Sequence, residues 1–412
     1  MSLPDRPLSV AEARGLILAS ASPIADIDLV PLRDARGRTL AQGLTAQLTQ
    51  PPQAVSAMDG YAVRAADLAS LPVHLDVIGE SAAGHGFDGT LKSGETVRIF
   101  TGAPLPEGAD AILIQENAKA EGTKVEPLQS VASGRYVRPA GLDFKQGELL
   151  LPAGTRLGPS EIALAAAMNH AKAPAVRRPR VAILATGDEL VTPGESPGPN
   201  QIVASNGFAV GAIVEMAGGE VIDLGIAGDT FAALENGIRA ARDAQSDILV
   251  TLGGASVGDH DLVKTALAKE GMQLGFWRVA MRPGRPLIHG KLGPMSILGL
   301  PGNPASSIVC GLLFLTPLIR AMSGDPHAAA DNLESAILGM PLRANDARQD
   351  YLRGSLAPSE TGLSIATPFE AQDSSLLRIF AQSQCLIVRG PGAPSAEAGD
   401  LCKVIRLTSA HF

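Results

Sequence analysis

Between Arg180 and Met322, apolar runs alternate with helical stretches, and glycine stands at most of the junctions. Val181 to Ala185 is continuously apolar and ends in Thr186-Gly187-Asp188-Glu189. A helical stretch from about Asn206 to Met216 stops at Gly218-Gly219, and strand-like Glu220 to Leu224 follows. After a helix over about Thr230 to Ala244 comes a second buried run, Asp247 to Thr251, closed by Gly253-Gly254. A helix from Asp261 to about Lys269 stops before Gly271. A last strand, Ser296 to Leu300, passes through Pro301-Gly302-Asn303-Pro304 into a helix reaching about Met322. Strands covered on both faces have no polar side to alternate, and a helix between two strands returns the chain to the same edge. The pattern predicts an α/β unit with a doubly wound, mostly parallel sheet.

The flanks read differently. Ser9 and Glu12 have the spacing of a capping box that opens a helix to about Ala19. From Ile27 to Lys172, short runs such as Val73 to Ile78, Thr96 to Phe100 and Ala111 to Ile114 are separated by Gly, Pro and Asp, the texture of β-rich modules. Beyond a linker at Asp325-Pro326, the tail returns to β-like runs at Gln384 to Val388 and Cys402 to Leu407. A chain of 412 residues is too long for one core. The expected fold class is α/β plus β, a multidomain chain with a central α/β domain and β-rich domains on either side in sequence. Aromatic residues make up only 3%, so Ala, Val, Leu and Ile must fill the cores.

Charge and cysteine usage exclude several functions. The formal net charge is −8 and no basic run exceeds Arg177-Arg178, so no stripe exists to displace nucleic-acid counterions. Cys310, Cys385 and Cys402 lack CxxC spacing, which argues for a reducing compartment and for a role as core filler. The N-terminal thirty residues lack a basic start and an apolar block, and the apolar stretch Ile308 to Ile319 is too short to span a bilayer. A soluble, cytoplasmic protein with neither nucleic-acid nor membrane partner is expected.

Three groups of residues could carry chemistry. The glycine turns at Thr186-Gly187-Asp188, Gly253-Gly254-Ala255-Ser256-Val257-Gly258 and Pro301-Gly302-Asn303-Pro304 follow strands, where ligands bind in open α/β sheets. Their amides and the helix starts behind them could hold an oxyanion, although glycine there also serves tight turning alone. No GxxxxGK[ST] or strand-borne GxGxxG occurs, which disfavours a standard nucleotide triphosphatase or a nicotinamide dehydrogenase. Arg278, Arg282 and Arg285 form a cationic cluster whose planar forks match the oxygens of phosphate or a similar oxyanion, unless they merely line a solvated edge. Asp229, Asp259 and Asp261 could face a divalent cation or move protons, and Asp229 and Asp261 also have the form of helix caps.

Taken together, these segments resemble the molybdopterin molybdenumtransferase family, the MoeA proteins and the carboxy-terminal domain of gephyrin. The resemblance rests on SAMDGYA at 56–62, TGAPLPEGAD at 101–110, Gly141-Leu142-Asp143 and ATGDEL at 185–190. It continues through GGASVGDHD at 253–261, PGRP at 283–286, LPGNP at 300–304 and YLRG at 351–354. It implies four domains: 1–45 with 141–175, the excursion 46–140, the α/β domain 176–328 and a β domain 329–412. It also implies a homodimer with its active cleft across the subunit interface, and contact with the adenylyltransferase that makes the activated pterin. The implied reaction takes molybdate, adenylylated molybdopterin and Mg2+, and yields molybdenum cofactor and AMP. Matched residue by residue, Asp59, Asp143, Glu189, Asp229 and Asp261 fall on functional acids, with Asp59, Asp229 and Asp261 as metal ligands. Thr186, Gly187, Asp188, Gly253, Gly254, Ser256, Gly258, the LPGNP turn, Arg278, Arg282, Arg285, Arg348 and Ser374 are the implied substrate-binding residues. The three arginines stand where the family commonly has Lys. Arg cannot give up a proton, so a cluster acting by charge is expected.

Overall fold

The computed structural model describes residues 6–254, 262–360 and 362–407. The apolar runs assemble a six-stranded sheet in the order Glu220–Ala227, Arg180–Thr186, Ile248–Leu252, Met295–Leu300, Pro286–Leu292, Gln273–Arg278. The first four strands are parallel, and the last two close the sheet as antiparallel neighbours. Pattern alone does not mark Pro286–Leu292, because His289, Gly290 and Lys291 interrupt its apolar run.

The sheet is wound on both faces. Val181, Ile183 and Val250 pack with Val210 and Val214 of helix Asn206–Ala217 and with Val309 and Phe314 behind them. Their neighbours Ala182, Leu184 and Leu249 point the other way, onto Leu234 and Ile238 of helix Phe231–Asp243 and Val263 of helix Leu262–Lys269. Each fully buried aliphatic chain contributes about 1.5–3 kcal/mol, so a strand such as Ile248–Leu252, buried at every position, anchors the layer.

The stretch Pro304–Met322 is a single helical run, ending where the sequence pattern places it. Among the described residues it has the length and apolarity to cross a bilayer, but 67% of it is buried inside the protein. Gly311–Leu315 widens to a π-turn just before Pro317, whose missing N–H removes one rung of the normal ladder.

The opening helix, Val10–Ser20, carries the expected capping box: Glu12 N–H donates to Ser9 Oγ at 3.2 Å, and Ser9 N–H to Glu12 Oε2 at 2.8 Å. Its apolar face, Val10, Ala13 and Ile17, packs into the α/β core instead of into the N-terminal unit, and Leu8 bridges to Val279. In that N-terminal unit, Ile27–Pro31 pairs antiparallel with Lys172–Val176, so two separated stretches share one core around Val30, Leu40, Leu151 and Ala175. Between them the chain makes a second six-stranded sheet from residues 60–127. At the C-terminus, Gln349–Ala357, Ile365–Pro368, Leu333–Leu338, Leu401–Arg406 and Cys385–Arg389 pair in a ring, and Met281–Arg282 of the α/β unit adds to Gln349–Asp350.

Candidate active site

Parallel strands deliver their carboxyl ends to one edge, and there the three glycine loops meet. They line a cavity of about 560 Å³ that contains Thr186, Gly187, Glu189, Asp229, Gly253, Gly254 and Pro301 to Pro304. Ala255 to Asp261, including the expected Ser256, Gly258 and Asp261, lie outside the described residues. Packing demands glycine here. At Gly253, φ is +96° and a Cβ would stand 2.7 Å from the Thr186 carbonyl oxygen; at Gly254 it would meet Val263 at 2.3 Å.

The amides only partly serve as the sequence suggests. Gly187 N–H donates to Ala227 O at 3.2 Å and Gly253 N–H to Leu300 O at 3.2 Å, because each loop leaves its strand still paired with a neighbour. These two donors are spent on the sheet. Gly254 and Gly302 keep amides without a partner among the described residues. The helix behind Asn303 is also occupied: Ala305 N–H donates to Ser374 O at 3.0 Å, and Asn303 Nδ2 donates to Ser374 Oγ at 2.9 Å. Ser374 of the C-terminal domain is thereby fixed to the LPGNP turn. Asn206, not singled out in the sequence, donates to Gly302 O at 2.6 Å and lines the same cavity.

The acids divide between two surfaces. The Glu189 carboxylate folds back against Gly187, where a Cβ would meet it at 2.4 Å. Asp188 Oδ1 accepts from Asp229 N–H at 2.9 Å. Thr230, not Asp229, caps the following helix by accepting from Ala233 N–H at 3.2 Å; the strand runs on to Ala227 and moves the cap along. This leaves the Asp229 side chain to face the cavity. Asp59 lies instead on the N-terminal excursion, where its Oδ1 accepts from Thr101 N–H at 2.7 Å and Thr101 Oγ1 at 2.8 Å. Those bonds, first that of the Thr101 amide, hold its carboxyl below the usual range. Asp143 borders a separate groove of about 1120 Å³ beside Gly102 and Pro51. No three metal-ligating side chains meet among the described residues, and Asp59 and Asp229 do not share a cavity within one chain. The pairing available there is Glu189 with Asp229, hard oxygen donors of the kind Mg2+ takes.

The arginines depart most from expectation. Pro286 lines the glycine-loop cavity, but Arg278, Arg282 and Arg285 do not. Pairing of Met281–Arg282 with Gln349–Asp350 draws this turn toward the C-terminal domain. Arg278 lies over the Trp277 ring at 3.6 Å. Arg282 donates to Asp350 and to Asn345 Oδ1 at 3.3 Å, with Asp346 3.6 Å away. Arg285 lines a second cavity of about 760 Å³ together with Arg348, Asp346 and Arg6. Its side chain makes no hydrogen bond or ion pair among the described residues. The loops and guanidiniums thus line two separate cavities, one bordered by Arg285 and the other by Pro286.

Arg353 is a further functional candidate. It is 1% exposed, its Nε has no partner among the described residues, and one terminal nitrogen donates to Asp373 O at 3.3 Å, next to Ser374. The available signal was a cation at an inward position of a strand, within a motif quoted above. Desolvation by burial holds its guanidinium pKa below the ordinary value.

A molecule with a doubly wound sheet, a loop-lined edge cavity and β domains docked on both sides belongs to the ligand-binding α/β class. Comparison sharpens this. Residues 182–321 match the family model described as a probable molybdopterin binding domain. Residues 8–169 match the MoeA N-terminal region (domain I and II), and 335–407 the MoeA C-terminal region (domain IV). A Haemophilus influenzae protein named molybdopterin molybdenumtransferase is 35% identical over 395 residues, covering 95% of this chain and 97% of that one. A Nostoc relative of the same name is 40% identical over 338 residues, 80% of this chain and 77% of its own. The crystal structure of a molybdopterin biosynthesis moeA protein from Pyrococcus horikoshii OT3 superposes with a TM-score of 0.83 at 27% identity, covering 97% and 99% of the two chains. The chain belongs to the MoeA family, the molybdopterin molybdenumtransferases of molybdenum cofactor biosynthesis, and is a transferase.

Proposed function

We propose that this chain performs the metal-insertion step on an activated pterin: molybdate enters adenylylated molybdopterin and AMP leaves. The phosphoanhydride and one molybdenum–oxygen bond break, and bonds from molybdenum to the two dithiolene sulfurs form. The oxygen lost from molybdate, leaving as water with the two thiol protons, balances the water that the anhydride takes up to release AMP. The observation that carries this reading is the pair of adjoining cavities flanking Arg285-Pro286, one with acids and loop amides that have no partner among the described residues, the other with cations. The cationic cavity of Arg285 and Arg348, with Arg282 at its border, takes molybdate by charge and planar hydrogen bonding. The loop cavity takes the pyrophosphate of the pterin, with the amides of Gly254 and Gly302 as donors. Ser374, with Arg353 behind it at Asp373, fixes the C-terminal domain against the loop cavity, so orientation supplies much of the rate.

Asp59 and Asp143 enter this scheme from a second copy of the chain, since their surface does not border either cavity within one protomer. Mg2+ held by Asp59, Asp229 and Asp261 would draw charge from the phosphoanhydride. The same reading places the protein in the cytoplasm as a homodimer that receives its substrate from the adenylyltransferase. Reconstitution tests it: purified protein, adenylylated pterin, molybdate and Mg2+, with released AMP measured. AMP release that rises with molybdate is expected; consumption of ATP with molybdopterin, or binding without turnover, contradicts it.

A further inference from the structure

The cationic cavity holds an anion of its own. Asp346 lies on the loop before strand Gln349–Ala357, and its Oδ2 is 2.6 Å from one Arg348 terminal nitrogen, with Arg348 Nε 3.2 Å from both carboxylate oxygens. Arg282, from the α/β unit, approaches the same Oδ2 at 3.6 Å. The loop fixes this placement. Arg348 N–H donates to Asp346 Oδ1 at 2.8 Å, Gly392 N–H donates to Asp346 O at 2.6 Å, and the Asn345 amide donates to the carbonyls of Arg348, Arg389 and Gly390.

We propose that Asp346 is an internal competitor for the oxyanion site, its carboxylate occupying the guanidiniums of Arg282 and Arg348 until a bound oxyanion displaces it. The inference rests on the reading of this cavity as the molybdate site. An ion pair between residues two apart on a surface loop usually contributes little, and taken alone this one would be ornamental. Here a second cation reaches the carboxylate from another domain, and the loop backbone holds it on the cavity wall beside Arg285, which has no ion-pair partner among the described residues. A fixed internal carboxylate weakens every small anion that must displace it. The device therefore lowers occupancy of the site by any small tetrahedral dianion, sulfate and molybdate alike.

Calorimetric titration of molybdate, and separately of sulfate, into the full-length protein tests this. Asp346→Asn keeps the oxygen that accepts from Arg348 N–H and so keeps the turn, while removing the charge. It is expected to bind both anions about 1.5- to fivefold more tightly than the wild type, the range of an exposed ion pair. Asp346→Ala should tighten binding to a similar degree. Unchanged or weaker affinity in Asp346→Asn overturns the competitor. Tightening in Asp346→Ala alone also overturns it, since loosening of the turn, not charge, would then be responsible. Molybdate affinity untouched by Arg348→Ala overturns the reading of the cavity itself, and the competitor with it.

Discussion

The two cavities beside Arg285-Pro286 are built by different physics. The glycine-loop edge is made of backbone. Its geometry follows from strand ends, and at Gly187 and Gly253 the sheet consumes the loop's own donors. The cationic cavity is made of side chains from two domains, joined by a short parallel pairing at Met281–Arg282, and its charges are partly neutralised by Asp346 and Asp350. Glycine-rich loops alone are thus a poor guide to where an anion binds; what matters is which donors remain after the fold has used its own.

The sharpest way to break the contrast is at the loop edge. Gly253→Ala introduces a Cβ 2.7 Å from a backbone carbonyl at a positive φ, with no flexible group to yield. It should cost about 2–4 kcal/mol of stability and most of the activity. A urea midpoint equal to wild type would show that the loop is not constrained in this way.

Next comes the strand that carries the arginine turn. His289 is buried, and burial pushes its pKa down to about 4 despite the Ile297 carbonyl 3.2 Å from Nδ1. The folded chain keeps it neutral while the unfolded chain protonates below about 6.5, so stability should fall as pH drops from about 6.5 to 4 and then level off. The loss is up to about 3 kcal/mol by linkage. Urea midpoints at pH 7 and pH 5 measure it, and His289→Phe should lose this part of the slope.

Arg353→Leu should lower molybdate-dependent AMP release at least about tenfold while leaving thermal stability unchanged or raised, because a buried guanidinium with an unpaired Nε is replaced by apolar volume. Destabilisation with full activity would make Arg353 structural. The smallest effect is expected for Asn303→Ala, which removes the bond to Ser374 Oγ. A loss of about 1 kcal/mol should be visible as a severalfold higher KM for the pterin at nearly unchanged kcat.

Much of the α/β unit was legible because its strands and helices are local patterns, and the capping box at Ser9 and Glu12 stands as spaced. The site was legible where position on a strand end decides it, at Thr186, Gly187, Gly254 and the LPGNP turn. What escaped depends on contacts between distant segments. The pairing of Arg282 with residue 350 and the Ala227 carbonyl taking the Gly187 amide leave no mark on local sequence. Arg353 is concealed differently: along the strand Gln349–Ala357 a buried cation looks like any charged residue until the fold turns it inward. The Asp229 and Thr230 pair shows the limit for caps, since two cap-forming residues stood side by side and the strand length chose between them.

A crystal of the full-length protein soaked in tungstate, an electron-dense analogue of molybdate, would locate the oxyanion by anomalous scattering. The account predicts a peak beside Arg285 and Arg348, with Arg282 at its border. A peak confined to the glycine-loop cavity, with the arginines still closed on Asp346 and Asp350, would contradict it.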